Sequence, residues 1–270
     1  MRVTEPQNIV EISKFYAHIR DYWKHLSMST DGKYSGMLNF GYWPEGCPDL
    51  FKAHQFLLEK VCSTLDQRNC VDQGLEIGCG IGGISIGMLK ALPELRMTAI
   101  DISSEQLEIA RANAAEVNLL SRIQFRDCDS MALSFDSGQF DFSLCIESSF
   151  HYDNKATFFA ENYRILKPGG QAVLADITCE DAKQIGFRRG NYFESKQRYI
   201  ELAESAGFLV ESIEDIGIHV YPSLYQHILA FNKNHRKWNG KYWSIVLHNY
   251  AKLAAIGIMG YHFFRFRKPE

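Results

Sequence analysis

Two side chains and one glycine-rich run carry the chemistry legible in this sequence. Glu76-Ile77-Gly78-Cys79-Gly80-Ile81-Gly82-Gly83 places four glycines within six residues. Glycine lets a backbone pass close to a ligand, and a helix starting just after such a loop presents free N–H groups. Gly78, Gly80 and Gly83 also satisfy G-x-G-x-x-G, the dinucleotide pattern. Asp101 lies 23 residues beyond Gly78, where a carboxylate can accept from both hydroxyls of a ribose. Together these features imply a nucleoside without choosing which one. Asp101 as a helix cap is the alternative, but Ser103 and Ser104 are better placed to cap. Ile102 would pack on the base. His151 is the second side chain: an imidazole titrates near neutral pH and can take a proton from a hydroxyl or an activated carbon. Its plainer role is a hydrogen bond within a pocket, or a cap on the next helix.

The elements that must hold these groups follow from the hydrophobic rhythm. GLEIG, MTAID, IQFRD, FDFSLCIE and QAVLADI are short apolar strands, and ISIGMLKAL, SSEQLEIARANAAEVNL and KATFFAENYRILKPGG alternate with them at helical spacing. The last of these helices is expected to end at Pro168 and Gly169. A helix YIELAESAGF, a strand LVESIEDIG, one long helical segment from about Ser223 to Leu253 and a final strand GYHFFRFRKP complete the chain. This order predicts an α/β fold, a doubly wound, mostly parallel, seven-stranded Rossmann-like sheet. Residues 1–70 read as a helical N-terminal lid around the aromatic loop Gly32–Pro44, and 71–270 as the nucleoside-binding domain, the two forming one structural unit.

Composition narrows the class. The 270 residues are 46% apolar and 23% charged, with a net charge of -3, which excludes a disordered chain and gives none of the basic excess of a nucleic-acid binder. Seven cysteines without a C-x-x-C pair point away from disulfides and zinc and towards a reducing compartment. No H-x-x-x-H or H-E-x-x-H arrangement occurs, so no metal is expected. The N-terminus lacks a signal-peptide core, and the longest apolar run, Leu253–Phe264, is too short to span a bilayer. A cytoplasmic protein without stable membrane insertion is expected, compatible with a homo-oligomer. Lys233, His235, Arg236, Lys237 and Lys241 form a basic run that reads as a solvated face, or as an attractor of an acidic substrate or membrane surface.

Four motifs in order, over residues 34–269, resemble class I S-adenosylmethionine-dependent methyltransferases. Glu76–Gly82 resembles the first motif, E-x-G-x-G-x-G. Arg126–Phe135 resembles the acidic loop that holds adenine, Phe140–Tyr152 the fourth strand and the loop facing the methyl group, and Leu166–Gly170 the turn before the fifth strand. Asn39-Phe40-Gly41-Tyr42-Trp43 is similar to the N-x-G-Y-W segment of small-molecule members acting on quinone precursors, tocopherols, sterols, and polyketide or sugar natural products. The resemblance implies S-adenosylmethionine as cofactor, S-adenosylhomocysteine as product and a small, partly apolar methyl acceptor. It places Glu76, Gly78, Cys79, Gly80, Asp101 and Ile102 on the cofactor. Asp129 would accept from the adenine amine and the Ser130 N–H would reach the ring. Asp127 competes with Asp129, because Cys128 stands where many members have glycine. Glu147 would hold the amino acid end, or is simply a carboxylate at a strand end. Tyr16 and Trp43 would face the sulfonium, or are lid core. Tyr42, Phe150, Tyr152, His219 and Tyr221 fall on the acceptor side. His151 is the candidate base for O-methylation, with carbon or nitrogen as alternative acceptor atoms. An NAD-dependent oxidoreductase and a non-catalytic S-adenosylmethionine-binding protein are the other readings.

Overall fold

The computed structural model describes residues 7–65, 72–185, 190–235 and 240–270. Helix α1 (Gln7–Leu26) and α2 (Leu50–Thr64) precede β1 (Gln73–Ile77), α3 (Gly83–Ala91), β2 (Arg96–Asp101), α4 (Ser104–Glu116), β3 (Ile123–Asp127) and β4 (Phe140–Ile146). A 3-10 turn, Ser149–His151, leads to α5 (Lys155–Ile165), β5 (Leu166–Cys179), α6 (Lys196–Ala206), β6 (Leu209–Asp215), α7 (Gly217–Asn234), α8 (Lys241–Ala255) and β7 (Met259–Arg267). The seven strands form one sheet in the order β3-β2-β1-β4-β5-β7-β6. β1 to β5 pair in parallel, and β7 runs antiparallel between β5 and β6. Strand order therefore reverses between β1 and β4, and the carboxyl ends of those two strands open the crevice in which such sheets bind ligands.

Alternation along each strand divides the core into two layers. Phe142, Leu144 and Ile146 of β4 join one apolar cluster and Cys145 the other, with Phe140, beyond the register slip at Phe140/Phe142, also in the second. β7 does the same, with Tyr261 and Phe263 on one side and Phe264 and Phe266 on the other. The first cluster runs without a break into the N-terminal segment through Trp23, Phe40, Trp43 and Leu50, and into α7 and α8 through Tyr221, Trp243 and Leu247. The lid is thus packed onto the sheet face by shared core. Ser103 caps α4, and Asp49, Asn154 and Ser195 cap α2, α5 and α6, each accepting from a backbone N–H in the first turn.

Two expectations are corrected. Helix α5 ends at Ile165, and Lys167-Pro168-Gly169-Gly170 lies inside β5 as a bulge, where pairing slips between Phe140–Leu166 and Phe142–Gln171. Proline lacks the N–H that a ladder needs, and a bulge at the start of a strand tolerates it. The single helix expected over 223–253 is two helices. α7 begins earlier, at Gly217, and ends at Asn234, and α8 starts at Lys241. Apolar periodicity reads on across such a break, whereas the fold ties the pair side by side: Tyr22 donates to Asn232 and Asn232 donates to Ser244. Lys233, His235 and Lys241 are exposed; Arg236 and Lys237, like Cys70, lie outside the described residues. Six described cysteines are free thiols, no metal-holding cluster occurs among the described residues, and no described helix is long and apolar enough to cross a membrane.

The lid loop rests directly on the start of α3. A Cβ added at Gly83 would collide with the carbonyl of Gly36. Gly83→Ala is therefore expected to lower stability by about 1–3 kcal/mol, the usual cost of overpacking. Urea denaturation tests this, and an unchanged midpoint would show that the loop does not rest there.

Candidate active site

The turn between β1 and α3 builds the first wall of a cavity of about 320 Å³. Gly78 and Gly80 hold left-handed conformations, with φ of 75° and 53°. A Cβ on Gly78 would strike the Ser148 hydroxyl, which is itself 2.7 Å from the Tyr152 hydroxyl. Across the turn, Gly80 N–H donates to one oxygen of Asp101 at 2.8 Å and Ser103 N–H to the other at 2.9 Å. The carboxylate at the end of β2 is thereby fixed facing the cleft. Burial raises its pKa against these hydrogen bonds. Glu76 accepts from both the N–H and the hydroxyl of Ser85 in α3, and burial pushes its carboxyl up to about 7. Asp129 uses one oxygen to accept from Met131 N–H at 2.8 Å and lines the cleft with Ser130, whereas Asp127 is exposed at the end of β3 and lies outside the lining.

The lining of this cleft has a definite electrostatic sign. It contains Glu76, Asp101, Asp129, Glu147 and Asp153 and, among the described residues, no lysine or arginine. A pyrophosphate would find no cationic side chain there, whereas a nucleoside bearing a cation would be attracted. The side-chain oxygen of Gln106, also in the wall, is buried and has no hydrogen-bond partner. A buried acceptor without a donor is costly, and a ligand N–H or O–H would relieve it. These observations fit S-adenosylmethionine, whose sulfonium and ammonium are cationic and whose adenine and ribose are donors.

A second cavity of about 240 Å³ abuts the first, and Tyr16, Leu38, Glu147 and His151 line both. Its other walls are almost wholly aromatic: Phe15 and Trp23 of α1, Phe40, Phe150, Phe193, and Tyr242, Trp243 and Tyr250 of α8. Glu147 follows β4 with φ of 49°, the left-handed region that a residue with a side chain rarely adopts. One of its oxygens accepts from Phe40 N–H at 2.6 Å and from the Tyr261 hydroxyl at 2.7 Å, and burial pushes the carboxyl up to about 8. His151 places Nδ1 2.6 Å from the Gly190 carbonyl. A carbonyl only accepts, so Nδ1 carries the proton and Nε2 is the bare acceptor, taking the Tyr16 hydroxyl at 3.1 Å. Burial pulls the imidazole down to about 4, which keeps it neutral.

Ten of the residues expected on the cofactor (Tyr16, Glu76, Gly78, Cys79, Gly80, Asp101, Ile102, Asp129, Ser130 and Glu147) line the first cavity, and Trp43 does not. Trp43 is core: its Nε1 donates to the Phe40 carbonyl at 2.8 Å and its ring lies 5.5 Å from that of His227. On the acceptor side, Phe150 lines the second cavity, and Tyr152 lies instead in the first, beside Ser148. Tyr42, His219 and Tyr221 line neither. Tyr42 faces the exposed His219, and Tyr221 is fully buried with its hydroxyl on the Gly260 carbonyl. Sequence reading missed Phe15, Ile19, Trp23, Asn191, Phe193, Trp243 and Tyr250. The spacing of Phe15, Ile19 and Trp23 along one helical face was a usable signal. Asn191 and Phe193 carry none, since only tertiary packing brings them beside His151.

Residues 75–170 match a family model described as a methyltransferase domain. Erythromycin 3''-O-methyltransferase of Saccharopolyspora erythraea is 30% identical over 158 residues, covering 58% of this chain and 50% of the relative, so the chain spans half of that protein's length. O-methyltransferase cnsE of Penicillium expansum is 27% identical over 236 residues, covering 82% of this chain and 84% of its own. Geranyl diphosphate C-methyltransferase of Streptomyces coelicolor A3(2), solved with Mg2+, geranyl-S-thiolodiphosphate and S-adenosyl-L-homocysteine, shares the fold at a TM-score of 0.75 and 16% identity, over 98% of this chain and 99% of that one.

Two outcomes follow from the cleft. Asp101→Ala should weaken S-adenosylhomocysteine binding at least about tenfold, since a hydrogen bond to a charged group contributes about 1.5–3 kcal/mol; calorimetry showing unchanged affinity would remove Asp101 from the site. Glu76 and Glu147, held up at about 7 and about 8, are both partly protonated without ligand at neutral pH, Glu147 the more so. A bound cation favours their ionised forms. S-adenosylmethionine binding should therefore release protons and tighten as pH rises through this range, and calorimetry in buffers of different ionisation enthalpy would show proton uptake if the idea is wrong.

Proposed function

We propose that this chain, whose residues 75–170 match a methyltransferase domain, is a class I S-adenosylmethionine-dependent methyltransferase that methylates a hydroxyl of a small, largely apolar molecule seated in the aromatic cavity, with His151 accepting the proton. The observation that carries this reading is the bare Nε2 of His151 at the junction of the two cavities, its tautomer set by the Gly190 carbonyl. The O-methyltransferase names of both relatives agree with it.

Asp101 would hold the ribose, Asp129 and Ser130 the adenine, and Glu76 with the glycine turn the amino acid end. S-adenosylmethionine, when bound, supplies a methyl group already activated as a sulfonium, so the protein's work is alignment, exclusion of water and removal of one proton. Alignment falls to the shared wall of Tyr16, Leu38 and Glu147. Water is excluded by the aromatic lining and by the lid loop, which Glu147 ties down at Phe40 N–H. The Tyr16 hydroxyl already lies on Nε2. An acceptor hydroxyl can displace it there, or can give its proton to Tyr16 Oη while the Tyr16 proton moves to Nε2.

His151→Asn should lower kcat about 10²–10⁴-fold, the usual contribution of a positioned base, while S-adenosylhomocysteine affinity changes far less, as expected when the interaction lost is one made in the transition state. Because burial pulls this imidazole to about 4 from its ordinary 6.5, it is ready to accept a proton at any pH above that range. The acid limb of kcat/KM should accordingly fall near 4 and not near 6.5. A panel of phenols and aliphatic alcohols with a ¹³C-labelled methyl donor reads the acceptor atom by NMR. Methyl carbons appearing only on nitrogen or carbon would overturn the oxygen assignment.

A further inference from the structure

Lys155 breaks two local rules at once. It is the first residue of α5, where the helix dipole disfavours a cation, and it is buried, only 5% exposed. Sequences set aside such preferences where a site demands it. Its ammonium donates to two main-chain carbonyls, Tyr152 O at 3.0 Å and Tyr192 O. Those two carbonyls belong to the two segments that meet at His151. Tyr152 closes the 3-10 turn Ser149–His151, and Tyr192 lies in the irregular segment 190–193 packed against it. The same segments are laced by Tyr192 N–H to the Phe150 carbonyl at 2.6 Å and by the Phe150 and Phe193 rings, stacked at 5.5 Å and 11°. Gly190, two residues before Tyr192, supplies the carbonyl on His151 Nδ1. Burial pulls the Lys155 pKa below the ordinary lysine value, and Asp176, Glu194 and Asp153 oppose this by favouring the ammonium at longer range. Asp176 also accepts from Ser149, at the start of the same turn, and from Tyr199.

We infer that Lys155 is a positioning residue: by clamping segment 190–193 onto the turn that carries His151, it keeps the Gly190 carbonyl on Nδ1 and so keeps Nε2 unprotonated at the junction of the two cavities. This rests on the reading of His151 as proton acceptor. Lys155 lines neither cavity, so it acts through the tautomer and orientation of the imidazole. Without the clamp, the Gly190 carbonyl is free to leave, Nδ1–H loses its acceptor, and the protonated nitrogen can become Nε2. Only the remaining fraction of molecules with a bare Nε2 would be competent, and kcat would fall to that fraction of its value.

The test is Lys155→Met in the full chain, with ¹⁵N-histidine labelling and His151→Asn to identify the His151 ring signals. The expected result is a kcat at least about tenfold lower with S-adenosylhomocysteine affinity within about twofold. The His151 Nε2 resonance should also move from the unprotonated towards the protonated position. Lys155→Arg, which keeps a cation and donors, should recover part of both. Where Lys155→Met fails to fold, Lys155→Gln, with a shorter neutral donor, is read by the same two measurements. A folded variant with the wild-type tautomer and kcat within about twofold would overturn the inference. A shifted tautomer with wild-type kcat would support the clamp and instead overturn the role of His151 as base.

Discussion

Burial of carboxylates along one edge of the sheet is the constraint on which the rest of this structure depends. Glu76, Asp101, Glu147 and Asp176 come from β1, β2, the end of β4 and β5, and burial raises the pKa of each. Taking such groups out of water is tolerable only if their oxygens find donors. Each finds them in a different neighbour: Ser85 for Glu76, the glycine turn for Asp101, the lid and β7 for Glu147, the turn before α5 for Asp176. The demand for donors fixes how these four pieces are set around the crevice. Three of the carboxyls also line the first cavity. The same burial leaves that cavity short of positive charge, the property that a sulfonium ligand supplies.

Glu147 links the two halves of the molecule. Its backbone is strained at φ 49°, and such a conformation persists only where surrounding contacts over-determine it. Here they are Phe40 N–H from the lid loop and the Tyr261 hydroxyl from β7. One oxygen thus joins the N-terminal segment, the end of β4 and the last strand at the boundary between the two cavities. Trp23, Phe40 and Trp243 pack together behind this point, with ring centroids 4.9–6.2 Å apart, so the shape of the aromatic cavity depends on α1, the lid loop and α8 seating together.

The match to the methyltransferase domain model spans residues 75–170, which hold the glycine turn, Asp101, Asp129, Glu147 and His151. It omits α1, the lid loop, segment 190–193 and α8, the pieces that shape the second cavity. That match therefore covers most of the lining of the first cavity and little of the lining of the second.

Local chemistry made the cofactor half legible in the sequence. Glycines at 78, 80 and 83, an acid closing the second strand and a histidine just past the fourth are set by backbone reach and strand order, which act over a few residues and the regular βα repeat. The seven strands were legible for the same reason, as was the helical character of the N-terminal segment. What the sequence left open, tertiary packing decided. Asp129 lines the cleft and Asp127 does not, a difference of orientation at a strand end. Trp43 and Tyr221 became core and Tyr42 packs half-buried against His219, because tertiary packing turns these rings away from the cavities, while Trp23, Phe193 and Trp243 turned in. The break between α7 and α8 and the bulge at Pro168 arise from pairing across the fold, to which hydrophobic periodicity is blind. The tautomer of His151 depends on a main-chain carbonyl 39 residues away, a contact that only the folded chain can make.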